Sequence, residues 1–397
     1  MRNPLFPAVF LAVVLAAGPP TSAQVAIDTS SPDAVMASLA ELHNNWTHDQ
    51  FVEFMRAAMI ANLPQEMVSK PLREGRELSD LIEGLGLLHL SARHVPLVLE
   101  YDPFIDDAHL SASWFQRILE RPLRDRSIQE VVRAGHAREQ AFIAGSQDLY
   151  SPILRERVEE LENAEAQARS AAERRSLDRL RRELGTLSEG MDRWSQRLEK
   201  LRSAGAFEPG AVGCRLSGDI DLTSEGAMIA GLAALAETCP QRRLIRFLRA
   251  AAFLSEVPHR SEAIAISRAA ENLSFAMEAI AGLAGLLQHD VFFRDHETVV
   301  AALKRILGRA LPGRTISEVM RDGEKVERAF LPALRAHLMH QLQAEIERRR
   351  ETSEQDAAAP QRPSREAQRF RGYIERIERR LAMLEGGAPE PARPGAN

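Results

Sequence analysis

Three groups of residues in this chain have the types and spacing for chemistry. The stretch from Gly213 to Gly226 carries Asp219, Asp221 and Glu225 beside Cys214. Closely set carboxylates of this kind are what acid/base attack on a glycosidic bond requires. His289 and His296 stand close to Asp290, Asp295 and Glu297, and such donors are the ones a metal ion takes up. Cys214 and Cys239 are the two cysteines of the chain, an even number that suits a disulfide. Each group also has a plainer role. The acidic loop would simply cap the helix starting near Glu225, with Asp219 and Asp221 in solvent. His296 follows Asp295 in the first turn of a helix. Zinc spacing of the His-Glu-x-x-His kind is absent, and Glu256 to His259 contains Pro258. Haem-attachment, nucleophile-elbow and phosphate-loop motifs are absent as well, so no cofactor is expected.

The compartment is read from the other end of the chain. Arg2, an apolar run from Leu5 to Ala17, the breaker Gly18-Pro19-Pro20 and the small residues Thr21-Ser22-Ala23 have the layout of a secretory signal peptide, residues 1–23, with cleavage near Ala23. The run is too short for a stable membrane span. A periplasmic or secreted protein is expected, in which Cys214 and Cys239 would be oxidised to a disulfide. The 397 residues carry a net charge of −5, which gives no general attraction to nucleic acid. Only Lys70, Lys200, Lys304 and Lys325 interrupt an otherwise all-Arg basic set. We read that bias as genomic rather than as a ligand signal.

Aromatic residues make up 5% of the chain, and Ala and Leu dominate, which predicts an all-α fold. Caps mark the helices. Ser31-Pro32-Asp33 precedes Val35, Met36, Leu39 and Leu42. Thr47 to Gln50 and Ser127 to Glu130 are capping boxes. An N-terminal helical domain over 28–148 is expected. Over 151–203 the residues Leu177, Leu180, Leu184, Leu187, Met191, Trp194, Leu198 and Leu201 alternate gaps of three and four, a heptad seam. The upstream stripe of Leu154, Val158 and Leu161 is out of phase with it. This segment is expected to be one long coiled-coil-forming helix with a register shift, a helical hairpin being the alternative. A second helical domain over 206–350, a disordered linker over 351–364, an amphipathic helix over 365–385 and a disordered tail over 386–397 complete the expected order. The final helix is expected to be dispensable for folding.

One internal repeat is visible. His48 to Pro64 aligns without a gap with His296 to Pro312, and Gly75 to Ile82 then faces Gly313 to Met320. A helix–turn–helix unit used twice is expected. Together these features predict an exported helical scaffold or protein-interaction protein of the bacterial envelope, one that binds a protein partner or itself through the seam. The alternatives are a cell-wall glycan hydrolase using Asp219, Asp221 and Glu225, and a metal-binding helical domain using His289 and His296.

Overall fold

A computed structural model describes residues 26–62, 93–105, 112–167, 171–205, 207, 214, 220–257, 263–290, 293, 295–355 and 365–386. The expected signal peptide, Asp219 and the tail beyond Gly386 lie outside these residues. The fold is all-α, with no strand among the described residues. Its helices are α1 Pro32–Asn45, α2 His48–Ala61, α3 Ala112–Leu123, α4 Ile128–Gln167, α5 Ala171–Ser203, α6 Glu225–Thr238, α7 Gln241–Glu256, α8 Ala263–Leu287, α9 His296–Ala310, α10 Ile316–Gln355 and α11 Arg365–Leu384. Among the described residues, no helix is long and apolar enough to cross a membrane.

The helices recur in the same order in residues 31–203 and 224–386, the helical segment 93–99 standing where α8 ends in the second half. The Ser31 hydroxyl caps α1 by accepting from Ala34 N at 3.1 Å, and Ser224 caps α6 by accepting from Ala227 N at 3.1 Å. The second helix of each half, α2 or α7, is buried around most of its circumference and packs against the 40-residue helix of its own half, α4 or α10. Both long helices begin in a capping box. Ser127 pairs with Glu130 in one and Thr315 with Glu318 in the other, each side chain bonding the other residue's backbone N–H. Two residues before each box the backbone is left-handed, at Asp125 (φ 60°) and Gly313 (φ 71°).

Close approach explains two glycines inside these helices. A Cβ on Gly135 of α4 would overlap the Ala57 carbonyl of α2. One on Gly323 of α10 would overlap the Ala250 carbonyl of α7. The core helix and the long helix therefore cross almost backbone to backbone in both halves.

These correspondences correct the repeat read from the sequence. That alignment set α2 against α9, but the counterpart of α2 is α7, and the counterpart of α9 is α3. The shared His and Leu-Pro positions misled it, because both helices follow a residue of capping type and both are apolar at helical spacing. Residues 63–82 of the first copy lie outside the described residues.

The segment 151–203 is not one long helix. Helix α4 starts at Ile128 and passes through Ser151-Pro152 without a break, with Pro152 on its exposed side. There the carbonyl that proline leaves without a helical N–H can be taken by water. Helix α5 then folds back along α4. Gln147 Nε2 donates to Ser195 Oγ at 2.9 Å, and Gln140 Nε2 donates to the Leu201 carbonyl at 3.0 Å. The two apolar stripes were out of phase because they belong to facing helices. Leu184, Leu198 and Leu201 are buried, while Leu177, Leu180, Met191 and Trp194 are partly so. The side chain of Leu187 lies outside the described ones. Trp194 stands edge-on to Tyr150 at 5.9 Å and to Phe142 at 6.5 Å. The seam's partner is thus a helix of the same chain.

The C-terminal expectation is corrected too. Helix α10 runs past residue 350 to Gln355, and residues 356–364 lie outside the described residues. Helix α11 packs on α10, with Ala367, Ile374 and Ile377 in the core. The polar stretch expected before it suggested a detachable helix, but the apolar stripe of α11 is wide enough to cover one neighbour. A chain ending at Gln355 should therefore lose the cooperative thermal melting of the full chain, as followed by circular dichroism. The glycine crossings give a second expectation. Gly135→Ala or Gly323→Ala should destabilise by about 1–3 kcal/mol through overpacking. Gly185→Ala, in open space on α5, should stabilise by about 0.5–1 kcal/mol through helix propensity; urea midpoints measure both.

Candidate functional site

Of the expected catalytic carboxylates, Asp221 and Glu225 take part in ordinary structural contacts. The Thr223 side chain, and its backbone N–H at 2.8 Å, both bond Asp221 and hold its pKa below the usual range. Glu225 is exposed in the first turn of α6 and pairs with Lys304 at 3.3 Å. Cys214 and Cys239 have their sulfurs 2.16 Å apart, at disulfide distance, and Cys239 ends α6 fully buried. His289 sits in left-handed backbone (φ 50°) just past α8, and His296 opens α9 against the Phe293 ring at 5.9 Å. Burial lowers the pKa of both, and nearby cations add to this: Lys200 and Arg197 for His289, chiefly Arg193 for His296. Among the described residues no three His, Cys, Asp or Glu side chains are grouped to hold a metal ion.

The densest chemistry lies elsewhere, in two buried charge centres that were not anticipated. In the first, Glu139 of α4 accepts from Arg56 Nε of α2 at 2.8 Å and from Arg197 of α5 at 2.8 and 3.0 Å. Arg197 also forks onto Glu53 of α2 at 2.8 and 3.0 Å and donates to Gln288 Oε1 at 2.9 Å. Arg56 reaches Asp290 at 3.3 Å, and His136 of α4 meets Glu53 at 2.5 Å. Arg56 and Arg197 are 1% and 0% exposed, so only such multiple pairing makes their burial tolerable.

The second centre has the same composition. Glu327 of α10 accepts from Arg249 Nε of α7 at 2.9 Å and from Arg380 of α11 at 2.8 and 3.2 Å. Arg249 also pairs with Asp102, and Arg380 donates to Glu100 Oε2 at 2.6 Å. His43 lies between Glu100 at 3.2 Å and Gln241 Oε1 at 2.7 Å. Each centre holds two arginines, three carboxylates and one histidine. The third carboxylate differs in origin: Glu53 comes from α2, whereas Glu100 follows the helical segment 93–99.

Burial alone would push these carboxyl groups up. The guanidinium groups reverse it, so that Glu139 is held at about 2, chiefly by Arg197 and Arg56. Glu100 is likewise held at about 2 by His43, Arg380 and Arg242. Burial brings Arg249 down to about 10 despite Glu327. One sequence signal was available for these centres. Glu53 and Arg56 interrupt the apolar run of α2, and Arg249 that of α7, at positions a core helix normally fills with hydrophobic residues.

The surface carries a second matched pair of features. A groove between α4 and α5 is lined by Gln147, Ser195, Leu198, Glu199 and Arg202. A groove between α10 and α11 is lined by Pro332, Arg335, Glu378, Leu381 and Glu385. The two occupy equivalent places on the two helical hairpins. Where Gln147 bonds Ser195 in the first, Arg335 Nε donates to Glu378 at 2.8 Å in the second. No protein-family model, curated protein or solved structure matches the chain.

Removing one member of a centre should be severe. Arg197→Met leaves Glu53 and Glu139 facing each other in the interior, a loss of about 3–5 kcal/mol measurable by urea unfolding. The same groups set an acid limb. Above the ordinary glutamate pKa of 4.5, Glu100 and Glu139 are ionised in folded and unfolded chains alike. Below it the unfolded chain takes up protons that the folded chain refuses until about pH 2. Stability should therefore fall progressively from about pH 4.5 to about pH 2, with a shallower fall in Glu139→Gln measured relative to its own neutral-pH stability.

Proposed function

We propose that the protein is an exported scaffold of the cell envelope that holds a protein partner on its two helical hairpins. The observation that carries this reading is the paired construction of the hairpins. Each has a groove at the equivalent place, and each presents large apolar side chains to water: Ile153 and Val158 on α4, Met339 and Ile346 on α10. Val158 and Ile346 occupy equivalent positions in the two halves. Exposed apolar side chains recurring at one place in both copies are what a protein-binding surface needs. The arms are long enough for that role, since 40 residues of helix extend about 60 Å. Export is supported by the composition of residues 1–23 and by two sulfurs at disulfide distance, an arrangement that persists in oxidising compartments.

The reading is tested by placing a photo-crosslinking residue at Val158 or Ile346 in cells, with Arg124 on the body as control. Discrete adducts at both arm positions and none at Arg124 are expected, in the fraction released with the periplasm. An adduct of twice the chain's own mass would identify the partner as a second copy. Arm positions that give no adduct would overturn the proposal.

A further inference from the structure

Each charge centre is completed by residues of the other half. Arg56 of the first half pairs with Asp290 of the second, and Arg249 of the second with Asp102 of the first. Asp102 and Asp290 are equivalent positions. Each follows a left-handed residue, Tyr101 (φ 51°) or His289 (φ 50°), and donates its N–H back into the preceding helix, to the Leu97 carbonyl at 3.0 Å or the Gly285 carbonyl at 2.9 Å. The neighbouring position is exchanged in the same way. Glu100 receives Arg380 of the second half, and Gln288 receives Arg197 of the first.

Apolar contacts cross in one direction. Leu97, Phe104 and Ile105 of the first half lie in the core of the second, with Phe104 edge-on to Phe253 at 6.0 Å. Between the halves, Thr47 forms an antiparallel bridge with Pro240. Each immediately precedes the second helix of its half, so like meets like there. Contact of i with j′, of j with i′, and of an element with its own counterpart is the signature of a two-fold, isologous interface.

We infer that the chain is two copies of one folding unit paired as an obligate two-fold dimer within a single polypeptide. The surface of each unit around its buried arginines is an interaction surface whose fitting partner is the other unit. The inference is independent of what the hairpins bind. A lone unit would expose the 97–105 face and leave Arg56 or Arg249 short of a carboxylate in a dry interior, where a charge without its full set of partners is strongly unfavourable. Of the chain between the halves, Phe207 packs on Trp46 of the first unit, and Cys214 and Ile220 belong to the second. Because Cys214 and Cys239 both belong to the C-terminal side, a cut between residues 208 and 213 leaves no covalent link between the units.

A protease site inserted there and cleaved in the folded full-length protein tests the inference. The two fragments should coelute in size exclusion at micromolar concentration with unchanged helical circular dichroism. Their melting midpoint should become concentration-dependent. Separation into two folded species, or unfolding on cleavage, would overturn it. Asp102→Asn combined with Asp290→Asn should raise the dissociation constant of the cleaved protein at least tenfold, whereas Arg181→Ala on the arm should leave it unchanged. If the double variant does not fold uncut, Asp290→Asn alone should shift the constant in the same direction. An unchanged constant would show that the exchanged charges do not hold the units together.

Discussion

The rest of the architecture is tied to the pairing of four fully buried arginines, Arg56, Arg197, Arg249 and Arg380. A guanidinium cannot shed its charge in a protein interior, so each must find carboxylates at hydrogen-bonding distance with fork geometry. That requirement locks the axial register of α2 on α4 and of α7 on α10, and it pins α5 and α11, the outer helices of the hairpins, to the body. Hydrophobic residues of similar size would hold such helices at least as firmly, but they would tolerate sliding by a turn. Here the charges specify one arrangement among several with similar apolar contact.

Much of the helix layout was legible in the sequence, because caps act locally. Ser31, Thr47 and Ser127 each bond within three residues, so the sequence neighbourhood holds the whole cause. The Cys214–Cys239 pairing followed from there being no other cysteine. The hairpin was harder. Helices α4 and α5 lie antiparallel, residues 168–170 between them include neither Gly nor Pro, and the heptad pattern of α5 says only that something packs on it. Whether that something is a second copy or the preceding helix depends on long-range contacts such as Trp194 with Tyr150.

The charge centres were the least legible part. Their members come from nine separate stretches of chain, and no spacing rule connects Glu53 to Arg197 or Glu100 to Arg380. The Arg-rich composition concealed them, since most arginines among the described residues do stand in water. The repeat was seen but placed wrongly, because apolar periodicity aligns any two amphipathic helices equally well. The positions that discriminate the true correspondence serve contacts rather than periodicity: Gly135 with Gly323, Arg56 with Arg249, and Glu139 with Glu327.

The backbone-close crossings at Gly135 and Gly323 have a mechanical meaning. Each hairpin is a lever whose fulcrum is the point where α4 passes over Ala57, or α10 over Ala250. From Gly135 to Gln167 the lever arm is about 50 Å at 1.5 Å per residue. A tilt of about 5° there would swing the tip by several ångström. With no side chain between the two backbones, the pivot has no soft layer to deform, so the distance between the two tips is set at the centre of the molecule.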